Sequence, residues 1–166
     1  RDITVRQLLQ HWGGFDRDAS FDPMFRDVAI STALVRPLPT DPQMVIDYME
    51  SRSLDFTPGS RYAYSNFGYS LLGRVIEAVS GKGYEEYMRT HILNPIEATG
   101  MRITNSPQGE QIPGEVPYLD SSTAISVMGS GTTVPSVYGG FNIRTMDAHG
   151  GWASSAVDLA RFATAF

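Results

Sequence analysis

Two polar side chains that could do chemistry stand two residues apart, at Tyr64 and Asn66. A Pro58-Gly59 turn signal precedes them and a helical pattern follows, so the phenol could be held at the rim of a cleft. The asparagine offers donor and acceptor groups, so the pair could handle a proton and orient a polar substrate. Spacing alone favours a structural alternative, in which Tyr64 packs in the core and Asn66 caps the helix.

A tyrosine that relays protons near neutrality needs an adjacent positive charge, because its unperturbed pKa is about 10. Lys82 is the only lysine of the sequence. The helix predicted over 66–80 would separate it from Tyr64 by about 24 Å. Arg61 is closer along the chain, but an extended segment does not fix where its side chain points. We therefore expect the cation to come from outside this chain.

Other catalytic and metal-binding patterns are missing from the sequence. There is no Gly-x-Ser-x-Gly, His-Glu-x-x-His, Walker or Gly-x-Gly-x-x-Gly motif. The sequence has no cysteine, which excludes disulfides, thiolate nucleophiles and thiolate metal sites. The three histidines, His11, His91 and His149, lack the spacing of metal ligands. We expect neither a metal nor another cofactor.

The composition indicates one globular unit rather than a disordered chain. The 166 residues are 42% hydrophobic and 19% charged, and the formal net charge is −5. This acidic balance argues against nucleic acid or an anionic membrane as the main partner. No stretch approaches the roughly 18 apolar residues of a membrane span. The compartment stays open, because a chain without cysteine suits either side of a membrane.

Capping signals and helical spacing predict a series of helices. Helix starts are expected at Thr4, at Asp22-Pro23 with continuation through 24–34, at Thr40, and at Ser154 or Ser155. A long helix is expected over 66–80, with Gly81 as its C-terminal cap, and a shorter one over 84–92. Residues 100–145 have no sustained period and predict an irregular segment with two short strands, near 125–128 and 137–143. The fold class is therefore mainly α, with a few short strands and a long irregular segment.

Several blocks, in order, resemble the class C β-lactamase and penicillin-binding-protein-like serine hydrolases, a family that includes esterases and D-aminopeptidases. Tyr64-Ser65-Asn66 resembles the Tyr-x-Asn motif of that family. The other similar blocks are residues 3–15, 56–59, 72–81, 84–104 and 150–162. The resemblance covers most of the chain except the irregular segment. It implies the helical subdomain of the β-lactamase/transpeptidase-like α+β fold.

The resemblance also implies a reaction and its residues. The family cleaves amide or ester bonds (in a β-lactam, a D-Ala peptide or an ester) through an acyl-serine intermediate. Tyr64 would relay a proton, and Asn66 would hydrogen-bond the substrate and the catalytic lysine. His149, Gly150 and Trp152 lie where the family's chain returns to the cleft, so they are expected to bind substrate.

The sequence departs from the family pattern because it contains neither Ser-x-x-Lys nor Lys-Thr-Gly, and because no His-x-Gly follows residues 150–162, where the family has that motif. We therefore expect residues 1–166 to be one central subdomain of a larger hydrolase, inactive without its flanking α/β subdomain. The irregular segment 105–145 would lie on the substrate side. The expected partners are a small-molecule or peptide substrate and not nucleic acid, and an exposed apolar face predicts self-association. The alternative is a non-catalytic binding or structural module that retains the scaffold.

Overall fold

Helices form most of the regular structure in the computed structural model, which describes residues 2–166. In chain order the α-helices are α1 (Val5–Leu9), α2 (Asp27–Leu34), α3 (Pro42–Glu50), α4 (Asn66–Ser80), α5 (Tyr84–Met88) and α6 (Ala156–Ala165). Short 3₁₀ turns cover Pro23–Phe25, Ser136–Tyr138 and Ile143–Met146, and a π-helical turn at Arg89–Leu93 extends α5. The strands are β1 (Arg102–Ile103), β2 (Thr123–Ile125), β3 (Thr133–Pro135) and β4 (Trp152–Ala153). The expected mainly helical fold class is confirmed.

Local side-chain caps explain where several helices begin. Thr4 and Gln7 form a complete capping box, with each side chain bonded to the other's backbone N–H. Ser65 caps α4 by accepting from the Gly68 N–H at 3.0 Å, and Ser155 caps α6 through the Asp158 N–H. These three starts agree with the sequence prediction. Gly81 closes α4 with a left-handed φ of 67°, also as predicted.

The helix expected after Asp22 is interrupted. Asp22 caps only the 3₁₀ turn Pro23–Phe25. The helical conformation is interrupted at Arg26, and α2 begins at the next residue. Thr40 is not the cap of α3, because Asp41 takes that position and accepts from the Met44 N–H. The Thr40 hydroxyl instead donates to the buried Asp27 carboxylate at the start of α2. A local capping pattern does not reveal this long-range contact of Thr40.

The strands differ from the predicted ranges. β2 pairs antiparallel with β3, with Ala124 opposite Val134. The strand predicted near 125–128 therefore starts a few residues earlier than expected, at Thr123. The range 137–143, expected as a strand, holds part of a 3₁₀ turn and a bend. β1 pairs with β4 through Ile103 and Trp152, two elements that the sequence did not indicate. Strands of two or three residues are defined by their partners, so local periodicity carries little information about them.

Two apolar clusters form the core. The larger one joins α1, α2, α3 and α4, with the deepest positions at Met24, Ile30 and Val45. The smaller one contains Leu93, Ala98 and Met101, with Trp152 and Phe162 packed against it. Among residues 2–166, no helix has both the length and the apolar character required to cross a membrane.

Side-chain hydrogen bonds attach the irregular segment 105–145 to the helical core. The Asn142 Nδ2 and the Thr145 hydroxyl both donate to the Thr40 backbone carbonyl, at 2.7 and 3.0 Å. The Ser106 hydroxyl accepts from the Ile143 backbone N–H at 2.8 Å. These three side chains are buried. The segment is therefore held by buried polar contacts instead of extended secondary structure.

Candidate active site

Tyr64 and Asn66 lie on either side of the Ser65 cap at the start of α4. Their burial differs sharply: Tyr64 is 41% exposed, whereas Asn66 is 9% exposed. The structural alternative for Tyr64 is not observed, because its ring is outside the core. Ser65, not Asn66, provides the helix cap. The turn therefore holds a phenol at the surface and an amide below it.

His11 supports this turn from the end of α1. Its backbone is left-handed, with φ of 57°, and its Nδ1 accepts from the Ser65 backbone N–H at 3.1 Å. The His11 ring centroid is 4.6 Å from that of Tyr64 and 4.9 Å from that of Tyr69. Burial lowers the pKa of His11, which favours the neutral imidazole that accepts a hydrogen bond. The imidazole thus connects the backbone and the ring of the candidate turn.

A cation of this chain also contacts Tyr64. The Arg17 guanidinium carbon lies 4.6 Å from the Tyr64 ring centroid, and its side chain is 42% exposed. The two cations considered from the sequence lie elsewhere: Arg61 pairs with Asp16 at 2.8 Å, and Lys82 lies 3.8 Å from Glu86. No sequence pattern predicts the contact of Arg17 with Tyr64, because residues so far apart in the chain meet only in the tertiary fold. Arg17 lies over the face of the Tyr64 ring, and the expectation that the cation acting on the Tyr64 hydroxyl comes from outside this chain stays a prediction.

Asn66 is connected to a second loop by a short hydrogen bond. Its Nδ2 donates to Asp22 Oδ2 at 2.6 Å, while Asp22 Oδ1 accepts from the Met24 backbone N–H at 3.1 Å. The Asp22 carboxylate also lies within electrostatic range of His149. Burial lowers the pKa of His149. The negative charge of Asp22 raises the same pKa to a smaller extent. His149 Nε2 is buried without a hydrogen-bond partner in the described part of the chain.

The residues expected to bind substrate are not all in one place. His149 lies within electrostatic range of Asp22, and Gly150 beside it is exposed. Trp152 instead packs edge-on against Tyr84, with ring centroids 6.2 Å apart. Burial raises the pKa of Tyr84. The structure thus brings His149 within electrostatic range of Asp22, the hydrogen-bond partner of Asn66, and packs Trp152 against the smaller apolar cluster.

Asp22 and Arg17 complete the arrangement although neither was a candidate from the sequence. The sequence pattern predicts only a helix cap at Asp22, whereas its second carboxylate oxygen reaches Asn66 because the fold brings the two segments together. No group of three or more His, Cys, Asp or Glu residues suited to a metal ion occurs within residues 2–166. The groups assembled here can move protons and donate or accept hydrogen bonds.

Known proteins resemble this chain in sequence and in structure. The sequence profile of the Beta-lactamase family matches residues 1–165. A putative D-alanyl-D-alanine carboxypeptidase of Escherichia coli (strain K12) is 30% identical over 97 residues, which are 58% of this chain and 21% of that protein. A D-stereospecific amidohydrolase from Streptomyces sp. superposes with a TM-score of 0.67 and 27% identity over 99% of this chain and 46% of its own.

A third relative is the octameric penicillin-binding protein homologue from Pyrococcus abyssi. It superposes with a TM-score of 0.60 and 28% identity, over 97% of this chain and 34% of its own. The chain thus spans less than half the length of each of these three relatives. Because the family profile covers nearly every residue and the solved structures share the fold, the chain belongs to the β-lactamase family.

Proposed function

We propose that this chain carries one part of the active site of a serine hydrolase that cleaves amide or ester bonds. The observation that supports this best is the exposed Tyr64 phenol beside the buried Asn66 amide at the start of α4. A phenol fixed at the surface can exchange a proton with a bound substrate. An amide fixed next to it can hold that substrate by hydrogen bonds.

In the proposed reaction, a serine oxygen from the rest of the protein attacks the carbonyl carbon of the substrate. The bond to the leaving nitrogen or oxygen breaks, and an acyl-serine forms. Tyr64 relays the proton of the serine hydroxyl to the leaving group. Water then hydrolyses the acyl-serine and regenerates the serine. Asn66 orients the substrate, and His149 and Gly150 line its binding site, whereas Trp152 supports the fold from the Tyr84 side.

The isolated chain is proposed to be inactive because its 166 residues contain no Ser-x-x-Lys pair. Its relatives are more than twice as long as the part that it matches. We propose that a flanking α/β subdomain supplies the serine and lysine, and that segment 105–145 borders the substrate. Val157 and Leu159 of α6 and Phe166 directly after it are exposed, which supports the hypothesis of self-association when that subdomain is absent.

Acylation of the longer protein tests the proposed reaction. Fluorescent penicillin and a fluorophosphonate should label that protein and leave chain 1–166 unlabelled. Tyr64→Phe should slow turnover of the best substrate by about 10²- to 10⁴-fold, the range of a lost proton-transfer group. Tyr62→Phe is the matched control, since Tyr62 also neighbours His11 and is exposed. It should retain the wild-type rate.

Substrate profiling separates the chemical classes. The longer protein should be assayed with D-amino-acid amides, D-Ala-D-Ala peptides, short-chain nitrophenyl esters and a chromogenic cephalosporin. Turnover of at least one class, lost in Tyr64→Phe, supports the proposal. Labelling of chain 1–166 by itself would contradict the proposed inactivity. Absence of labelling and turnover in the longer protein would favour a non-catalytic module.

A further inference from the structure

We infer that Asp22 is a positioning residue for Asn66: its carboxylate fixes the direction in which the Asn66 amide points, and so determines which of its polar atoms remain available to a ligand. The inference rests on the proposed function, in which Asn66 contacts substrate. It goes further because it assigns a role to an aspartate outside the Tyr64-Ser65-Asn66 motif.

An ionised carboxylate can accept hydrogen bonds but cannot donate them. The 2.6 Å contact of Asp22 Oδ2 must therefore be made by the Asn66 nitrogen, and the opposite amide orientation would bring two acceptors together. Charge-assisted hydrogen bonds of this length are among the strong ones in proteins. Asn66 is nearly buried, so water cannot easily replace the lost bond in a rotated amide. Asp22 consequently holds one amide orientation over the other.

The amide keeps binding capacity in this orientation. One Nδ2 hydrogen is committed to Asp22, and the second remains available. Within residues 2–166, Oδ1 of Asn66 accepts no hydrogen bond, and it is not among the fully buried polar atoms that lack a partner. A ligand can therefore meet one donor and one acceptor whose relative positions Asp22 sets.

The other Asp22 oxygen is also in use, which makes one substitution especially informative. Oδ1 accepts from the Met24 N–H and caps the 3₁₀ turn Pro23–Phe25. In Asp22→Asn the side chain has a single oxygen. If that oxygen keeps the cap, the new NH₂ group faces the Asn66 Nδ2, and two donors cannot bond. Asn66 should then rotate its amide by half a turn and present Nδ2 where Oδ1 had been.

Asp41 provides a matched control. Like Asp22, it caps a helical turn, precedes a proline at the first helical position and accepts from the N–H of a methionine. Unlike Asp22, it makes no contact with Asn66. Asp41→Asn therefore reproduces the loss of charge at an Asp-Pro cap without disturbing the candidate site. Any difference between the two variants reports the bond to Asn66.

The first experiment reads the amide orientation without catalysis. In chain 1–166 labelled with ¹⁵N at asparagine side chains, one Asn66 Hδ2 should resonate downfield because it donates to a carboxylate. This shift should disappear in Asp22→Asn and persist in Asp41→Asn. An unchanged Asn66 amide signal in Asp22→Asn would overturn the inference.

The second experiment measures kcat and KM of the longer protein on its best substrate. Asp22→Asn should reduce kcat/KM on the order of 10²-fold, as expected for a misoriented substrate-positioning group. Asp41→Asn should leave kcat/KM unchanged, and both variants should melt at similar temperatures. Equal kinetics for the two variants, with the amide signal altered, would overturn the positioning role. If the wild type has no hydrolase activity, the proposed function fails, and the amide signal still decides the orientation.

Discussion

The His11 imidazole accepts a hydrogen bond from the Ser65 backbone N–H at 3.1 Å, and the same ring lies 4.6 Å from the ring of Tyr64. One side chain at the end of α1 therefore orients both the backbone and the phenol of the candidate turn. The left-handed φ of 57° at His11 aims the imidazole at this turn. Because α1 and α4 meet at this contact, its loss should affect stability as well as the site.

His11→Ala should destabilise the chain by about 1–3 kcal/mol, since the Ser65 N–H loses its acceptor. His11→Asn should cost clearly less. Asparagine tolerates the left-handed backbone, and its Oδ1 can accept from Ser65 although the ring contacts are lost. Urea denaturation of the wild type and both variants measures the difference. Equal losses in the two variants would show that the ring contacts, and not the hydrogen bond, stabilise the turn.

Close packing at Gly73 provides a second prediction. A Cβ at this position would lie 2.5 Å from the Ala148 Cβ, next to the Asp147 side chain. Gly73→Ala should therefore push α4 away from the segment that carries His149, at a cost of about 1–3 kcal/mol. Gly68→Ala in the same helix is the control, because its Cβ would meet only ordinary contacts at 3.6 Å or more.

Gly68→Ala should be neutral or stabilising, since alanine is favoured over glycine in a helix by up to about 1 kcal/mol. Chemical denaturation gives the free energy of unfolding of both variants. A destabilised Gly68→Ala with an unaffected Gly73→Ala would contradict this description of the α4 surface.

Because His149 is partly buried, we expect the folded chain to lose stability in mild acid. Burial lowers its pKa in the folded chain below the unperturbed value of about 6.5. The unfolded chain then binds the proton more readily, so stability falls as pH drops from about 6.5 towards the lower folded pKa. His149→Gln should reduce the fall in melting temperature between pH 7.5 and pH 5.5. His91→Gln, at an exposed position, should not change it.

Three other side chains with shifted pKa values, His11, Asp27 and Asp147, also change how the stability of the chain depends on pH. Burial also lowers the pKa of His11, so His149→Gln should leave part of the acid sensitivity in place. Burial raises the pKa of Asp27 and of Asp147, and their protonation in the folded state opposes the histidine effect as the pH falls further. Identical pH profiles for the wild type and His149→Gln would contradict the prediction.

Thr40 links α2 to the start of α3, and its hydroxyl donates to the buried Asp27 carboxylate. Thr40→Val should destabilise the chain by about 1–3 kcal/mol, because the carboxylate loses a donor. This hydrogen bond lowers the pKa of Asp27 against the larger effect of burial. Its removal should raise that pKa further, so the loss should be greater at neutral pH than in acid, where Asp27 is protonated.

The control for Thr40→Val is Thr32→Val. The Thr32 hydroxyl donates to the Val28 carbonyl on the exposed surface of α2 and contacts no carboxylate. Its substitution should change stability by a few tenths of a kcal/mol and should show no dependence on pH. Denaturation curves at pH 7 and pH 4 compare the two variants. A loss in Thr40→Val that is the same at both pH values would exclude the proposed link to Asp27.

Sequence reasoning succeeded where interactions are local. The capping box at Thr4, the start of α4 after Ser65 and its end at Gly81 each depend on residues within about one helical turn. The family could also be recognised, because ordered motifs survive in a linear sequence. The assignment of Tyr64 and Asn66 as catalytic residues stays a prediction.

Only the tertiary structure decided which distant groups surround those two residues. Asp22 reaches Asn66, Arg17 covers Tyr64 and Trp152 turns to Tyr84 because loops far apart in sequence pack together. The strands were misplaced for the same reason, since their pairing partners define them. Local spacing sets the helices and the Tyr-x-Asn turn through short-range hydrogen bonds. Long-range packing of the core sets the polar groups and charges that those residues meet.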